Sequence, residues 1–319
     1  MSEHVADNKG KELLKNEIKE LKRLKNAVIL AHYYVDGDIQ DIADYVGDSL
    51  ALARQAADTA QNADIVVMCG VNFMGETVKL LCPDKKVLVP DSTSGCSLAD
   101  SCPADAFAEF VASHPEHTVI SYVNTTAEVK ALSDVLVTSG NARKIVDSFP
   151  EDAKLIFGPD RNLGGYLNSV TGREMLLWDG ACHVHERFSA EGILQLKKQH
   201  PEAPVLVHPE CKRHIVLLAD KVGSTAALLD YALASDADEF IVATESGILH
   251  QMRKAAPGKT FIAAPADDST CACNECSFMK LNTLEKLRDC LMAETPEIQI
   301  DPALAQRALV PIERMLQLS

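Results

Sequence analysis

The sequence predicts an α/β protein with three homologous three-layer α/β/α domains, whose parallel sheets surround a pseudo-threefold axis. Two observations predict this fold. Apolar strands alternate with helical segments, which is the pattern of parallel sheets covered by helices on both faces. The same landmarks also recur three times, first after 90 residues and then after 86. This interval is too long for a solenoid repeat and suits a small domain with a core of its own.

The repeat divides the chain into five predicted segments. They are an N-terminal helix, three α/β units and a C-terminal helical extension, at 1–25, 26–115, 116–201, 202–280 and 281–319. Leu14, Ile18 and Leu21 lie at helical spacing between Lys and Glu residues, which predicts the first helix. Asp301 followed by Pro302 is a typical helix start and predicts the last helix.

The first strand of each unit, predicted at 28–34, 119–124 and 205–210, ends in polar side chains. In such sheets ligands bind beyond the carboxyl ends of the strands, so these side chains are candidate acids, bases and hydrogen-bond donors. The alternative is that each is an ordinary strand-end residue with satisfied hydrogen bonds. The six residues are His32, Tyr34, Tyr122, Asn124, His208 and Glu210.

Three hydroxyl residues, Ser49, Ser139 and Thr225, recur at the same offsets, each before a helical segment. A Ser or Thr at this place can cap the helix, and capping alone would explain each residue. A helix start can also bind carboxylate or phosphate through its free N–H groups and its dipole. Because the hydroxyl residue recurs in all three units, we favour anion pockets.

Each unit continues with two more strands and then a cysteine-containing loop. The second strands are predicted at 64–69, 154–158 and 239–244, and the third strands at 86–90, 174–178 and 260–263. The loops contain Cys96, Cys182 and a cluster formed by Cys271, Cys273 and Cys276. If the three units meet around one axis, the three loops converge on one point.

One cysteine from each unit gives three thiolates, which suit a [4Fe–4S] cluster with one iron left without a protein ligand. Such an iron can act as a Lewis acid on a substrate oxygen. Zinc would use the same residues, and the further alternative is that Cys96 and Cys182 are ordinary buried thiols. Cys69, Cys82 and Cys290 lie in apolar patterns and are predicted to be core residues. Cys102 and Cys211 stay open.

Composition limits the functional classes. Hydrophobic residues make up 47% and charged residues 24%, as in soluble globular proteins, and the apolar runs are too short to cross a bilayer. The polar N-terminus predicts no secretory signal, so we expect a cytoplasmic protein. Ten cysteines in that compartment favour metal or redox chemistry. The net charge of −15 argues against nucleic acid and membrane partners, but not against an anionic substrate.

From about residue 25 to the C-terminus, the chain resembles quinolinate synthase. The resemblance rests on many short motifs in the same order. They are Ala31-His32-Tyr33-Tyr34, Gly47-Asp48-Ser49, Tyr122-Val123-Asn124, Thr138-Ser139, Trp178-Asp179-Gly180-Ala181-Cys182, His208-Pro209-Glu210, Val222-Gly223-Ser224-Thr225 and Cys276-Ser277-Phe278-Met279-Lys280.

The resemblance implies an enzyme of NAD biosynthesis. It would condense iminoaspartate with dihydroxyacetone phosphate to quinolinate, releasing phosphate and two waters, with the open iron of a [4Fe–4S] cluster engaging substrate oxygens. It also implies a functional link to the enzyme that supplies iminoaspartate. The implied cluster ligands are Cys96, Cys182 and Cys276. The implied substrate contacts are His32, Ser49, Tyr122, Asn124, Ser139, His208, Glu210 and Thr225.

The last cysteine loop departs from the family pattern. Some members carry Cys-x-x-Cys-x-x-Cys, whereas here Cys271 and Cys273 are separated by one residue. A Cys-x-Cys bridge closes a tight ring and forms less easily, which puts a regulatory disulfide in doubt. Either Cys273 or Cys276 could then be the metal ligand of this loop. The match from Cys276 to Met279 favours Cys276.

Four strand-end residues are the candidate catalytic groups: Tyr34, Tyr122, His208 and Glu210. Glu210 beside His208 is a plausible base, and Tyr34 can donate a proton or hold an oxygen. Two other functions compete with this interpretation. One is a hydratase that uses an open cluster iron on another hydroxy acid, and the other is a redox-sensing or electron-transfer protein. The latter would normally use four Cys ligands and has no need for these His, Tyr and Glu residues.

Overall fold

The computed structural model describes residues 2–59, 62–267 and 274–319, so Cys271 and Cys273 lie outside the described residues. The chain divides into two compact units. The first contains Met1–Gly95 and Ser277–Asp301, and the second contains Cys96–Cys276 and Pro302–Ser319. The predicted limits of the three α/β units remain a prediction.

The described residues form three four-stranded sheets, one in the first compact unit and two in the second, and every strand pair is parallel. The first sheet contains β1 (Ala27–His32), β2 (Tyr45–Gly47), β3 (Ile65–Cys69) and β4 (Lys86–Leu88). The second contains β5 (Thr118–Tyr122), β6 (Val135–Val137), β7 (Leu155–Gly158) and β8 (Leu176–Leu177). The third contains β9 (Val205–Val207), β10 (Lys221–Val222), β11 (Glu239–Ala243) and β12 (Thr260–Ala263).

All three sheets have the same strand order, with the second strand at one edge, then the first, third and fourth. Helices connect and surround the strands, which confirms the predicted α/β class. In chain order they are α1 (Ser2–Leu24), α2 (Gly37–Gln40), α3 (Ser49–Thr59), α4 (Asn72–Leu81), α5 (Ser97–Asp100), α6 (Ala104–Ala112), α7 (Ala127–Lys130), α8 (Ala142–Asp147), α9 (Arg161–Thr171), α10 (Ala190–Gln199), α11 (Arg213–Val216), α12 (Thr225–Ala234), α13 (Ile248–Ala255), α14 (Leu284–Ala293) and α15 (Pro302–Leu318). Two short 3₁₀ helices lie at His185–Arg187 and Met279–Leu281. Among the described helices, none combines the length and apolar character that a bilayer crossing needs.

The central strands form the cores. Every residue of β3 and β7 is buried, and five of the six residues of β1 are buried. Parallel strands that are covered on both faces contain continuous runs of apolar residues. Such runs are visible in the sequence, so these strands could be predicted from it. The first strands end earlier than predicted. Tyr34, Asn124 and Glu210 therefore lie beyond the carboxyl ends of their strands.

The edge strands β2, β6 and β10 were not predicted as strands. Each contains only two or three residues, so no alternating or continuous apolar pattern can develop. The apolar residues before the three hydroxyl landmarks belong to these strands. Each edge strand pairs with the first strand of its sheet and places the hydroxyl residue just beyond its carboxyl end.

An aspartate recurs at the turn before each edge strand: Asp44, Asp134 and Asp220. In each sheet its carboxylate accepts the backbone N–H of a first-strand residue, at 2.7 to 2.8 Å. Its own N–H donates back to the carbonyl of that same residue. This two-way link ties the edge of the sheet to its centre, and its threefold recurrence agrees with the predicted repeat.

We expect Asp134→Ala to lower the stability of the protein. The change leaves the N–H of buried Val119 without its acceptor, which costs roughly 1–3 kcal/mol. The measurement is denaturant unfolding. Asp134→Asn is the matched control because its amide oxygen can still accept the N–H, and equal unfolding midpoints for Asp134→Ala and the parent would contradict the structural role.

Candidate functional site

Exposure separates the eight described cysteines into two groups. Five are buried: Cys69, Cys82, Cys102, Cys211 and Cys290. Three are partly exposed: Cys96, Cys182 and Cys276. The three partly exposed cysteines are the three that the sequence predicts as metal ligands.

The five buried thiols are packing residues. The core positions predicted for Cys69, Cys82 and Cys290 are confirmed. Cys102 and Cys211, for which the sequence gave no assignment, are also buried in cores. Cys102 packs in the cluster around Phe107, and the Cys211 thiol lies 3.5 Å from the carbonyl oxygen of Ala243.

The three partly exposed cysteines all lie in the second compact unit, where Cys276 acts electrostatically on Cys96 and Cys96 on Cys182. Burial raises the pKa of Cys96 to about 12, with smaller contributions from Cys276 and Glu210. Burial also raises the pKa of Cys182, and the charges of Glu210 and Cys96 raise it further. Without a nearby cation these thiols hold their protons, and a metal would stabilise their thiolates.

The donor set fits a soft metal group. The Cys182 sulfur, a His185 ring nitrogen and a Glu210 carboxylate oxygen lie within 4.8 Å of one another, and all three side chains lie in the second compact unit. Sulfur donors from separate loops are the ligands of iron–sulfur clusters and of zinc. These three residues can therefore hold a metal, and Cys182 is the one predicted thiolate ligand among them.

Beyond β9, the turn formed by residues 208–210 fixes the His208 ring. The backbone N–H of Glu210 donates to Nδ1 of His208 at 3.4 Å. The other ring nitrogen, Nε2, lies 3.2 Å from the Ser139 hydroxyl oxygen. In the neutral ring Nδ1 accepts and Nε2 can donate toward Ser139 or toward a ligand in its place. The protonated ring carries a charge toward Glu210, whose Oε2 lies 3.4 Å from Nδ1.

Glu210 is a buried carboxylate held by three neighbours. Its Oε2 atom lies 2.8 Å from Nδ1 of His185, which stacks on His208 with a ring separation of 4.7 Å. Burial opposes ionisation, but His185, His208 and the Tyr122 hydroxyl outweigh it, so the pKa of Glu210 is lowered. The carboxylate is therefore ionised near neutral pH and can accept a proton.

Two buried oxygen atoms near these strand ends lack a hydrogen-bond partner among the described residues. They are Oε1 of Glu210 and Oδ1 of Asn124. Buried polar atoms are normally hydrogen-bonded, and an orphaned acceptor at a strand end is a place where a ligand donor can bind. Both atoms belong to residues that the sequence predicts as substrate contacts.

The hydroxyl landmarks are not the helix caps. At α3 the cap is Asp48, which accepts the N–H of Ala51, and at α12 it is Ser224, which accepts the N–H of Ala227. Thr225 is the first residue of α12 and is buried. The capping explanation therefore fails for Ser49 and Thr225, because the preceding residue already caps the helix.

Three predicted site residues lie in the first compact unit. His32 is buried, and its Nδ1 accepts the backbone N–H of Tyr34 at 3.2 Å, so this turn has the same geometry as the one at His208. The rings of His32 and Tyr34 are 4.4 Å apart. Ser49 begins α3 in the same unit. The remaining predicted residues belong to the second compact unit.

Sequence reasoning gave too little weight to His185. It follows Cys182 by three residues on the short 3₁₀ helix His185–Arg187, is buried, and its Nε2 lies 3.1 Å from the Thr244 hydroxyl. His185 is therefore not a surface residue. The signal was the Cys-x-x-His spacing, which places both side chains on one turn.

Known proteins resemble this chain over almost its whole length. Residues 16–317 match the family model described as quinolinate synthetase A protein. The quinolinate synthase of Thermosynechococcus vestitus is 59% identical over 302 residues, which are 95% of this chain and 94% of that protein. The quinolinate synthase of Chloroherpeton thalassium is 56% identical over 303 residues, with the same coverage.

We expect Cys96→Ser, Cys182→Ser and Cys276→Ser each to remove most of the metal bound by the protein, because each change removes one of the three proposed thiolate ligands. The measurement is metal content after anaerobic purification, with circular dichroism as a check of folding. Cys69→Ser and Cys290→Ser are the matched controls and should keep the parental metal content. Equal metal loss in both groups would contradict the assignment of ligands.

Proposed function

The chain belongs to the quinolinate synthetase A family, and we propose that it condenses iminoaspartate with dihydroxyacetone phosphate to quinolinate, releasing phosphate and two waters. The observation that supports this most is the ionised carboxylate of Glu210 between His185, His208 and Tyr122, next to the Cys182 thiol. The relatives at 56–59% identity are named quinolinate synthase, which favours the condensation over a hydratase or an electron-transfer protein. A cytoplasmic location, where thiols stay reduced, belongs to the same proposal.

The proposed cofactor is a [4Fe–4S] cluster held by Cys96, Cys182 and Cys276. When bound, it would supply an iron without a protein ligand, a Lewis acid for a substrate oxygen. The electrostatic influence of Cys276 on Cys96 and of Cys96 on Cys182 supports the assignment. Iron and sulfide analysis distinguishes the cluster from zinc, which would use the same sulfur atoms.

The proposed substrate contacts are polar groups at strand ends and helix starts. Iminoaspartate has two carboxylates, which hydroxyl and backbone N–H donors at helix starts can bind. Ser139 and Thr225 would supply such donors in the second compact unit, and Ser49 in the first. The remaining proposed contacts are His32, Tyr122, Asn124, His208 and Glu210.

Ring formation requires protons to leave carbon and to reach the departing hydroxyl groups. We assign proton acceptance to the Glu210 carboxylate, whose lowered pKa keeps it ionised. His208 and Tyr122 hold this carboxylate in place, and the Tyr34 hydroxyl is the proposed proton donor. Because the pKa of Glu210 is lowered, its role as a base holds at neutral pH and is lost only as the pH falls through that lowered value.

The decisive experiment is anaerobic purification followed by an assay for quinolinate from the two substrates. We expect a brown protein that contains iron and sulfide and forms quinolinate. Because imines hydrolyse in water, iminoaspartate has to be generated in the assay by the enzyme that supplies it, which also tests the proposed functional link. An iron-loaded protein that forms no quinolinate would overturn the proposed function.

We expect Ser49→Ala, Ser139→Ala and Thr225→Val to raise KM about 5-fold or more while leaving iron content unchanged. Each removes a donor to a charged acceptor, worth on the order of 1 kcal/mol or more. Ser224→Ala is the matched control, because it removes the cap of α12 and should lower stability without changing KM. Parental KM values in all three variants would reject the proposed anion contacts.

We expect Glu210→Gln and Tyr34→Phe to keep the cluster and substrate binding but to lower kcat about 10²-fold or more, since each removes a proton-transfer group. Quinolinate formation, iron content and substrate binding are measured on the same samples. Glu174→Gln and Tyr166→Phe, which lie outside the proposed site, are the controls. Turnover within a few-fold of the parent would remove that residue from the acid–base chemistry.

A further inference from the structure

Asp160 is a completely buried carboxylate with two hydrogen-bonding tasks. It lies two residues beyond the end of β7. Its Oδ1 accepts the N–H of Leu163 at 2.7 Å and so caps the start of α9. Its Oδ2 accepts the backbone N–H of Cys182 at 3.3 Å. One side chain therefore joins the helix start to the cysteine.

Glu245 repeats this arrangement in the third sheet. It lies two residues beyond the end of β11 and is also completely buried. Its Oε2 accepts the N–H of Gly247 at 2.7 Å, at the start of α13, and its Oε1 accepts the N–H of Cys276 at 3.2 Å. The two side chains thus occupy equivalent positions. Asp160 caps α9, Glu245 instead accepts the N–H of the residue before α13, and each also accepts the N–H of a cysteine.

Capping alone does not explain why both positions hold an acid. Burying an acid is costly, since burial, followed by the charge of Glu210, raises the pKa of Asp160 well above its usual value, and Ser caps α10 and α12 without that cost. The feature that Asp160 and Glu245 share, and that the Ser caps lack, is the bond to a cysteine.

The first sheet provides an instructive contrast. The position two residues beyond β3 is Val71, which has no hydrogen-bonding group. The loop of Cys96 is held in another way, since the hydroxyl of Ser97 lies 2.6 Å from Nδ1 of His183. Because these residues directly follow Cys96 and Cys182, this contact joins the two cysteine loops.

We infer that Asp160 and Glu245 are positioning residues that hold Cys182 and Cys276 for the metal cluster. The inference rests on the proposed cluster and adds residues that the sequence did not indicate. Side chains that orient metal ligands through hydrogen bonds typically contribute 10- to 100-fold to metal affinity. A carboxylate that accepts the cysteine N–H also keeps that donor from turning toward a cluster sulfur, which would change the cluster's electronic properties.

The test uses Asp160→Asn and Glu245→Gln in the full-length protein purified anaerobically. An amide has the same size but only one acceptor oxygen, so each variant loses one of the two bonds whichever way the amide turns. We expect both variants to release iron to a chelator about 10-fold faster than the parent. We also expect an altered EPR signal from the reduced cluster, which a loss of stability alone would not produce.

Ser189→Ala is the matched control. Ser189 caps α10 in the same compact unit but makes no bond to any of the cysteines that the structure describes. This variant should lose stability and keep the parental iron release and EPR signal. Parental iron release and EPR in both carboxylate variants would overturn the inference, as would the same change in Ser189→Ala.

Folding is checked by circular dichroism of the metal-free proteins. If one carboxylate variant does not fold, the other decides the question, and failure of both would assign the two acids to fold stability and overturn the inference. The parent separates this inference from the proposed function. A parent that holds iron but forms no quinolinate would overturn only the proposed activity, whereas a parent without metal would overturn the proposed cofactor and this inference with it.

Discussion

The buried carboxylate of Glu210 is the constraint on which the rest of the site depends. Removing a carboxylate from water costs several kcal/mol unless charged or hydrogen-bonding partners replace the water. His185, His208 and Tyr122 provide these partners, and together they outweigh the burial. The partners come from the second sheet, the third sheet and the loop after β8, so this packing brings the strand ends next to Cys182.

A threefold repeat lets one scaffold carry three different sets of chemistry. An aspartate such as Asp134 occurs at the same turn in all three sheets because it stabilises the fold. The first-strand ends differ because they serve the site. His32 and His208 share a turn in which a backbone N–H fixes the ring, whereas the equivalent residue of the second sheet is Tyr122. Structural positions thus keep one residue type, and functional positions diverge.

The sequence was sufficient for the elements with strong local patterns. The long buried strands, the repeat and the cysteine loops were predicted, because apolar runs and fixed offsets are visible without a structure. The strands β2, β6 and β10 were missed because each contains only two or three residues and leads directly into the residues taken as a helix start. His185, Asp160 and Glu245 were undervalued or missed because their roles depend on bonds to residues 22 to 59 positions away, which no local pattern encodes.

Oε1 of Glu210 and Oδ1 of Asn124 are buried without a hydrogen-bond donor among the described residues, and this lowers the stability of the fold. A buried acceptor without a donor costs roughly 1–3 kcal/mol, and the described part of the chain supplies no donor for either atom. A core built only for stability would replace these groups with apolar ones. Their presence at strand ends, where parallel sheets bind ligands, means that a ligand donor would recover the lost hydrogen bonds. The same interactions would then contribute to affinity, because the cost of desolvating these two acceptors is already included in the folded state.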